Sequence, residues 1–226
     1  MKDLYNYFHL NSMNYSHELL KKPKEYPDLQ LNAEKIFTLE VKKIDKNAKT
    51  INPFFKIHSS RVYGKQMVSD SMLEEMLVNI YRKKGVNSAS VPSAGDFYSA
   101  ELYIINLHDS NKKRGVYYYD MENNNLNFVH DNFKIDFLPD INAFALQAKY
   151  LIVITSKLNQ LLGKYGDRGY RYALIEAGHI GQNISLYSEF MGLKACPMGG
   201  FYDEILINYL NLEKNEFPLY IYAIGL

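Results

Sequence analysis

GKYGDRGYRYALIEAGHIGQN, residues 163–183, is the stretch from which the fold is predicted. Its first half is framed by glycines and carries Lys164, Tyr165, Asp167, Arg168 and Arg171, which predicts a charged loop. Its second half predicts a helix over residues 170–191, because small residues recur at helical spacing. These small residues are Ala173, Ala177, Gly178, Gly181, Ser185 and Ser188. A glycine inside a helix costs about 1 kcal/mol relative to alanine, so we expect this helix to be tightly packed.

The composition is that of an ordinary globular protein, with 226 residues, 47% hydrophobic and 23% charged. A net charge of +1 gives no general argument for a nucleic-acid or membrane partner. The one cysteine, Cys196, excludes an intramolecular disulfide and is expected to be a small buried hydrophobe. A signal peptide pattern is absent, and no apolar run approaches the ~20 residues that span a bilayer. We therefore expect a cytoplasmic protein.

The patterning divides the chain near residue 52. Residues 1–52 are rich in lysine and are expected to form an N-terminal arm with an exposed strand at 36–44. The lysines of this arm form either a solvated face or a surface that docks a partner. Residues 53–226 carry regular patterning and are expected to form the main domain.

The main domain is predicted to have an α+β fold, with helices packed against a sheet. The first helix is expected to begin at a capping box, Ser71 with Glu74, and to end at Gly85. Asp203 is expected to cap a later helix. The other expected helices cover 141–149 and 204–210. The expected strands cover 101–107, 115–119, 126–129, 150–155 and 219–224, and the second and third of these form a hairpin.

Several common cofactor motifs are absent from the sequence. It contains no G-x-G-x-x-G after a strand, no G-x-x-x-x-G-K-[ST], no H-E-x-x-H and no C-x-x-C. The six histidines show no metal-ligand spacing. We therefore expect neither a nicotinamide-binding Rossmann domain, nor a P-loop, nor a metal site.

Four segments, in this order, resemble the nitroreductase-fold flavoproteins, and among them the SagB-type azoline dehydrogenases of thiazole/oxazole-modified microcin biosynthesis. The segments are 57–63 (IHSSRVY), 92–95 (PSAG), 163–183 and 197–201 (PMGGF). The resemblance covers roughly residues 53–226. It implies a nitroreductase-like fold with a mainly antiparallel central sheet flanked by helices. It also implies an FMN cofactor and a homodimer with the flavin at the interface.

The resemblance assigns three of these segments to FMN binding. His58, Ser59, Ser60 and Arg61 offer a cation and hydroxyl groups to the phosphate or ribityl chain. Ile57 stands where many relatives have another arginine, and the sequence ends at Leu226 without a basic tail, which weakens the expected grip on the phosphate.

The other FMN segments are expected to act through their backbones. The tight turn of Pro92, Ser93, Ala94 and Gly95 meets the flavin in the family, often across the dimer interface. A further pair, Gly199 and Gly200, allows the backbone to approach the flavin ring near N5 without side-chain obstruction. Residues Gln182 and Asn183 bond either the polar edges of the flavin or a neighbouring helix.

Lys164 and Tyr165 match the Lys-Tyr pair that the azoline-dehydrogenase branch carries as its catalytic pair. Forming an aromatic azole removes a proton and a hydride from the azoline ring. A lysine can accept the proton when burial or neighbouring cations lower its pKa toward about 7–8. Arg168 and Arg171 are close in sequence and are candidates for those cations. Without the resemblance, the pair is a solvated loop lysine beside a packing tyrosine.

Two further charged residues of the helix have structural interpretations. Glu176 is expected to pair with Arg171 or to anchor the Tyr172 backbone, and His179 is expected to be a satisfied core histidine.

The resulting prediction is an FMN-dependent dehydrogenase that converts thiazoline or oxazoline rings of a ribosomal peptide to thiazole or oxazole. The implied partners are an azoline-containing precursor peptide, a second copy of the chain and a cyclodehydratase or scaffold complex. One alternative is a NAD(P)H-dependent nitro- or flavin reductase. The other is a non-catalytic member of a peptide-modifying complex that has lost flavin.

Overall fold

The computed structural model describes His9 and residues 57–64, 68–81, 89–132 and 134–226. The predicted strand at 36–44 and the predicted helix end at Gly85 lie outside these residues. The described α-helices are α1 Asp70–Ile80, α2 Asn159–Tyr165, α3 Arg168–Phe190 and α4 Asp203–Leu210. The described strands are β1 Ala100–Asn106, β2 Gly115–Asp120, β3 Asn125–His130, β4 Tyr150–Lys157, β5 Lys194–Met198 and β6 Glu216–Gly225.

The six strands form one sheet in the order β3-β2-β1-β4-β6-β5, and every neighbouring pair is antiparallel. β4 lies between β1 and β6, and seven of its eight residues are buried. The nearly continuous apolar run over 150–155 is typical of a strand that is buried on both faces. The predicted α+β fold with a mainly antiparallel sheet is confirmed.

Two apolar cores lie on opposite faces of the sheet. On one face, α1 and α3 bury residues such as Met76 and Ile180 against Leu102 and Ile152. The other face packs Val153 and Ile221 with residues of α4 and of the segment before β4. That segment, predicted as a helix over 141–149, is a 3-10 helix, Asp140–Gln147.

The structure corrects the predicted N-terminal caps of α1 and α4. Ser69 caps α1, because its Oγ accepts a hydrogen bond from the Met72 amide at 3.2 Å. The predicted capping box at Ser71 is therefore wrong by two residues. The residue before α4 is Tyr202, so Asp203 lies in the first helical turn instead of capping it.

The edge strand β5 was not predicted. Pro197 lies within it, and a proline inside an apolar run argues against a central strand because it has no amide to donate. β5 forms its ladder with β6, where Pro197 lies opposite Tyr222, and on its other side the described residues form only an isolated bridge of Ser59 with Ala195. A strand at the edge of a sheet tolerates the amide that Pro197 lacks, so β5 can form. The same proline made the segment look unlike a strand in the sequence.

α3 is longer and less completely buried than the small-residue pattern indicates. Ala173, Ala177, Gly181, Ser185 and Ser188 are buried as predicted. A Cβ atom added to Gly181 would lie 2.9 Å from the Tyr222 hydroxyl, which explains this glycine by close packing. Gly178, in contrast, is exposed, and a Cβ there would meet no described atom within 4 Å. His179 is also exposed, so the prediction of a core histidine is wrong.

His9, near the N-terminus, lies in the protein interior. Only 3% of it is exposed; its Nδ1 lies 2.8 Å from Tyr170 Oη, and its ring packs edge-on against Phe217. Burial lowers the pKa of His9 from 6.5 to about 4. In the part of the chain that the structure describes, His9 joins the N-terminal region to the start of α3 and the start of β6.

The docking of His9 predicts a pH-dependent stability. The folded state disfavours the protonated ring, so the stabilisation is complete above pH 6.5 and is lost as the pH falls from 6.5 toward 4. Between pH 7 and pH 4.5 the free energy of unfolding should fall by about 1–3 kcal/mol more in the wild type than in His9→Phe. Urea denaturation at the two pH values measures this difference. Equal decreases in the two proteins would contradict the prediction.

Candidate functional site

Lys164 and Tyr165 lie in the last turn of a short helix, α2, and the prediction of a loop over this pair is wrong. α2 follows β4 directly, and its Leu161 is fully buried with Leu158 in a small third cluster. Gly166 ends the helix with a φ of 56° and donates its amide hydrogen to the Leu162 carbonyl at 2.9 Å. The pair is therefore held on a helix end at the edge where β4 finishes.

The two side chains contact the turn of residues 92–99, here called the Gly95 turn. A Cβ atom added to Gly95 would lie 2.8 Å from Tyr165 Oη and 3.2 Å from Lys164 Nζ. Gly95 also has a φ of 66°, in the region that favours glycine. The structure thus brings two of the predicted site segments together, and a glycine occupies their point of contact.

Aromatic rings surround the Lys164 amine. Its Nζ lies 5.3 Å from the ring centroids of both Phe97 and Tyr165, a distance at which a cation is attracted to a ring face. Tyr165 also packs edge-on against Tyr172, with centroids 5.0 Å apart. The Lys164 side chain is exposed in the single chain, as are Arg168 and Arg171. Burial of the amine therefore has to come from whatever binds over it.

Glu176, on the buried face of α3, binds the Gly95 turn. Its carboxylate accepts hydrogen bonds from Ser93 Oγ at 2.5 Å, from Tyr81 Oη at 3.2 Å and from the Ala100 amide at 3.0 Å. Glu176 binds these three groups instead of its expected partners, Arg171 and the Tyr172 backbone. The Ser93 hydroxyl hydrogen is used in this contact, so Ser93 can offer only an acceptor to a cofactor.

The predicted phosphate segment runs beside β5. Ser59 forms a parallel bridge with Ala195, and the Ser60 amide donates to the Ala195 carbonyl at 2.9 Å. His58, Ser59 and Arg61 are exposed, and the Ser60 hydroxyl donates to the Val62 carbonyl at 3.2 Å. The segment therefore presents a cation and a hydroxyl to solvent next to the start of residues 197–201.

Arg61 lies between an aromatic ring and the cysteine. Its guanidinium carbon is 5.8 Å from the centroid of Phe144. Burial raises the pKa of Cys196, and the nearby Arg61 lowers it in part. Cys196 is 2% exposed, which confirms its expected place in the core.

Gly199 and Gly200 leave space at the end of β5. Among the described residues, a Cβ atom on Gly199 would meet nothing within 4 Å, and one on Gly200 would meet only Asn142 Nδ2, at 3.4 Å. The same Asn142 group donates to the Gly200 carbonyl at 2.6 Å and fixes the backbone. The fixed backbone of Gly199 and Gly200 leaves space for a planar ring. Arg61 and Ser59 supply the cation and the hydroxyl group that a phosphate needs. These residues therefore fit a planar cofactor that carries a phosphate.

Gln182 and Asn183 take different positions on α3. Asn183 Nδ2 donates to the Ile80 carbonyl at 3.0 Å and to the Ser90 carbonyl at 3.2 Å, so it holds helices together. Gln182 is exposed on the same outward face as Gly178.

The predicted site therefore has two parts in one chain. The phosphate segment and Gly199 lie along β5, at one edge of the sheet. The Gly95 turn lies where β1 begins, three strands farther in, and Lys164 lies where β4 ends, two strands farther in. Pro92 and Ala94 belong to this second part.

Sequence reasoning missed Glu176, Phe97 and Tyr172 as site residues. Glu176 carried a usable signal, because it is a charge on the same helical face as Ala173, Ala177 and Ile180. Such a residue needs buried partners. Phe97 and Tyr172 carried no sequence signal of a site, because aromatic residues usually indicate only packing.

The described residues lack two kinds of feature, a metal-binding cluster and a membrane-spanning helix. No group of three or more His, Cys, Asp and Glu side chains in them is arranged to hold a metal ion. Among the described helices, none combines the length and the apolar character required to cross a membrane.

Comparison with known proteins gives one family and two similar proteins. The nitroreductase family model matches residues 57–226. MJ1384 of Methanocaldococcus jannaschii, named as a nitroreductase, is 31% identical over 140 residues, which cover 60% of this chain and 69% of that protein. The microcin B17-processing protein McbC of Escherichia coli is 25% identical over 172 residues, covering 71% of this chain and 63% of McbC. The match thus spans less than two thirds of McbC.

A solved structure shows the same fold over almost the whole chain. It is the E. coli microcin synthetase McbBCD complex with truncated pro-MccB17 bound. The TM-score is 0.70 at 23% identity, with 97% of this chain and 90% of that chain covered. Because the family model matches residues 57–226, well over half of the sequence, the protein belongs to the nitroreductase family, which implies an oxidoreductase.

Proposed function

We propose that this protein is an FMN-dependent azoline dehydrogenase acting on a ribosomal peptide. The contact of Lys164 and Tyr165 with Gly95 is the observation that carries this proposal. Turning a thiazoline or oxazoline ring into its azole removes one proton and one hydride, so the reaction needs a base and a hydride acceptor. A lysine amine and a phenol held at one point next to a cofactor segment fit the first requirement.

Members of the nitroreductase family typically bind FMN, and the donors of this chain fit that cofactor. Arg61, Ser59 and His58 would hold the phosphate or ribityl chain, and the bare backbone of Gly199 and Gly200 would lie along the ring. FMN, when bound, supplies the acceptor for the hydride. Molecular oxygen is the simplest oxidant that returns the cofactor to its starting state.

Lys164 is proposed to take the proton of the azoline ring at its Nζ. The amine is exposed at a helix end, so a peptide-borne ring can reach it. The ring faces of Phe97 and Tyr165 stabilise the ammonium ion formed by this transfer. Tyr165 Oη, at the same glycine, assists as a hydrogen-bond donor or relay.

The proposed substrate is an azoline-containing precursor peptide. Similarity to McbC, named for processing microcin B17, supports a peptide substrate. The fold shared with a chain of the McbBCD synthetase supports a complex with cyclodehydratase or scaffold partners.

A homodimer would unite the two parts of the site. On α3, Leu174 and Ile175 are 39% and 49% exposed, and they flank the open Gly178. A mid-helix glycine that no described residue of its own chain packs against costs about 1 kcal/mol relative to alanine, and only packing by another chain would offset this cost. We propose that a second copy covers this face and places the Gly95 turn of one subunit near the phosphate segment of the other.

The dimer predicts a specific effect of Gly178→Leu. A leucine side chain would fill the space reserved for the second copy, so this variant should be monomeric where the wild type is dimeric. Light scattering coupled to size-exclusion chromatography measures the mass. Asn208→Leu, which adds the same side chain at an exposed position of α4, is the control and should remain dimeric. A dimeric Gly178→Leu protein would contradict this interface.

The test of function starts with the colour of the purified protein. A yellow protein with bound FMN is expected, and incubation with an azoline-bearing peptide should remove two hydrogens per ring, measured by mass spectrometry. A colourless protein that takes up no added FMN would exclude the proposed reaction and favour a non-catalytic role.

The 31% identity with a protein named as a nitroreductase favours one alternative, a NAD(P)H-dependent nitro- or flavin reductase. This alternative predicts rapid bleaching of the flavin by NADH or NADPH and unchanged bleaching in Lys164→Ala. The azoline dehydrogenase predicts turnover of the peptide without nicotinamide.

A further inference from the structure

We propose that Glu176 is a positioning residue, whose carboxylate holds the Gly95 turn in the shape on which Lys164 and Tyr165 rest. The inference deepens the proposed function, and where it concerns azoline oxidation it rests on that function. The positioning itself concerns only contacts within this chain, so it can be tested without a substrate.

Glu176 joins three elements that are distant in sequence. It is 2% exposed and accepts hydrogen bonds from the residue after α1, from the Gly95 turn and from the start of β1. The donors are Tyr81 Oη, Ser93 Oγ and the Ala100 amide. A buried carboxylate is costly unless such donors satisfy it. The three contacts therefore fix the carboxylate and, through it, both ends of the turn.

The Gly95 turn needs to be held because its backbone is strained. Gly95, Asp96 and Tyr98 have φ values of 66°, 61° and 49°, and two of these residues are not glycine. Residues in this region persist only where surrounding contacts impose the conformation. Ser93 imposes it from within, since its Oγ donates to Glu176 and accepts from the Tyr98 amide at 2.8 Å.

The held turn then positions the proposed catalytic pair. Gly95 lies two residues after Ser93, and its α-carbon faces Tyr165 Oη and Lys164 Nζ. Phe97, the next residue but one, presents its ring to the same amine at 5.3 Å. Loss of the Glu176 contact would release Ser93, relax the turn and remove two surfaces against which the Lys164 amine rests.

Glu176→Gln tests this inference. The substitution keeps the volume of the side chain but replaces the carboxylate that accepts the Ser93 hydrogen bond with an amide. Hydrogen exchange should become faster at the Tyr98 and Ala100 amides. Acetylation of Lys164 by an N-hydroxysuccinimide ester, followed by mass spectrometry across a pH series, should proceed several-fold faster or with a shifted pH midpoint. If the proposed reaction is correct, kcat should fall about 10- to 100-fold with FMN affinity retained.

Asp70→Asn is the matched control. Asp70 is also a buried carboxylate, and it accepts hydrogen bonds from Tyr150 Oη at 2.5 Å, Ser110 Oγ at 2.8 Å and the Lys112 amide at 2.8 Å. It holds the loop after β1, away from Lys164. Asp70→Asn should lose about as much thermal stability as Glu176→Gln loses. Its Lys164 should still be acetylated as in the wild type.

The outcomes separate the positioning role from the proposed function. Unchanged Tyr98 exchange and unchanged Lys164 acetylation in Glu176→Gln would overturn the positioning role. Changes in both, in a protein that oxidises no azoline even as wild type, would support the positioning role and refute the proposed function. If Glu176→Gln does not fold, Ser93→Ala removes the same link by a smaller change and should give the same two shifts.

Discussion

Lys164→Ala is expected to lose azoline oxidation by at least about a hundredfold while it keeps its FMN, since general base catalysis contributes about 10²–10⁴-fold. The Nζ atom lies against Gly95 and between aromatic rings, and it has no role in the sheet or the helix core. Removing it should therefore change chemistry and leave folding intact. The measurement is the rate of two-hydrogen loss per ring, with bound FMN determined from the absorbance of the same sample.

Two further variants sharpen this expectation. Tyr165→Phe keeps the ring that packs on Tyr172 and removes only the hydroxyl, so a loss of activity would identify a chemical role. Lys134→Ala removes an exposed lysine that pairs with Asp136 at 3.1 Å, a kind of pair worth little, and should be fully active. Full activity in both Lys164→Ala and Tyr165→Phe, with FMN still bound, would refute the proposed mechanism.

Gly95→Ala should be nearly as damaging, for a steric reason. The new methyl group would lie 2.8 Å from Tyr165 Oη and 3.2 Å from Lys164 Nζ, so both groups have to move. A displacement of about 1 Å can cost about a hundredfold in rate, and a side chain at a φ of 66° costs about 1 kcal/mol in stability. We expect kcat to fall about a hundredfold and the free energy of unfolding to fall by about 1 kcal/mol.

Gly192→Ala distinguishes the steric clash with Lys164 and Tyr165 from the backbone strain of a side chain at positive φ. Gly192 has a φ of 68°, close to that of Gly95, yet a Cβ there would lie within 4 Å of no atom that the structure describes. This control should lose about 1 kcal/mol of stability and keep its rate. Equal activity of the two alanine variants would show that the contact with Lys164 and Tyr165 does not matter.

Much of the fold could be predicted because its signals are local. The apolar run over 150–155 identified β4, and the apolar alternation on both sides of residues 120–125 identified the β2–β3 hairpin. The period of small residues identified α3. In each case the residues that decide the element lie within a few positions of one another.

The sequence failed to predict elements whose conformation depends on contacts with residues distant in the chain, because these contacts outweigh the local conformational preference. α2 contains Gly163 and is only seven residues long, so its own propensity does not predict a helix. Burial of Leu158 and Leu161 against Tyr170 and Ala173 stabilises it. Pro197 obscured β5 in the same way, because only the sheet order shows that it lies at an edge.

The sequence by itself determined the fold class, the order of the main elements and the set of segments from which a site is built. Periodic patterns and short motifs are properties of neighbouring residues, so they can be read without coordinates. Tertiary structure alone decided that Lys164 is on a helix, that Gly95 touches it, and that Glu176 binds Ser93 rather than Arg171. Those contacts join residues that are far apart in the chain, and only the packing of α2 and α3 at the end of the sheet brings them together.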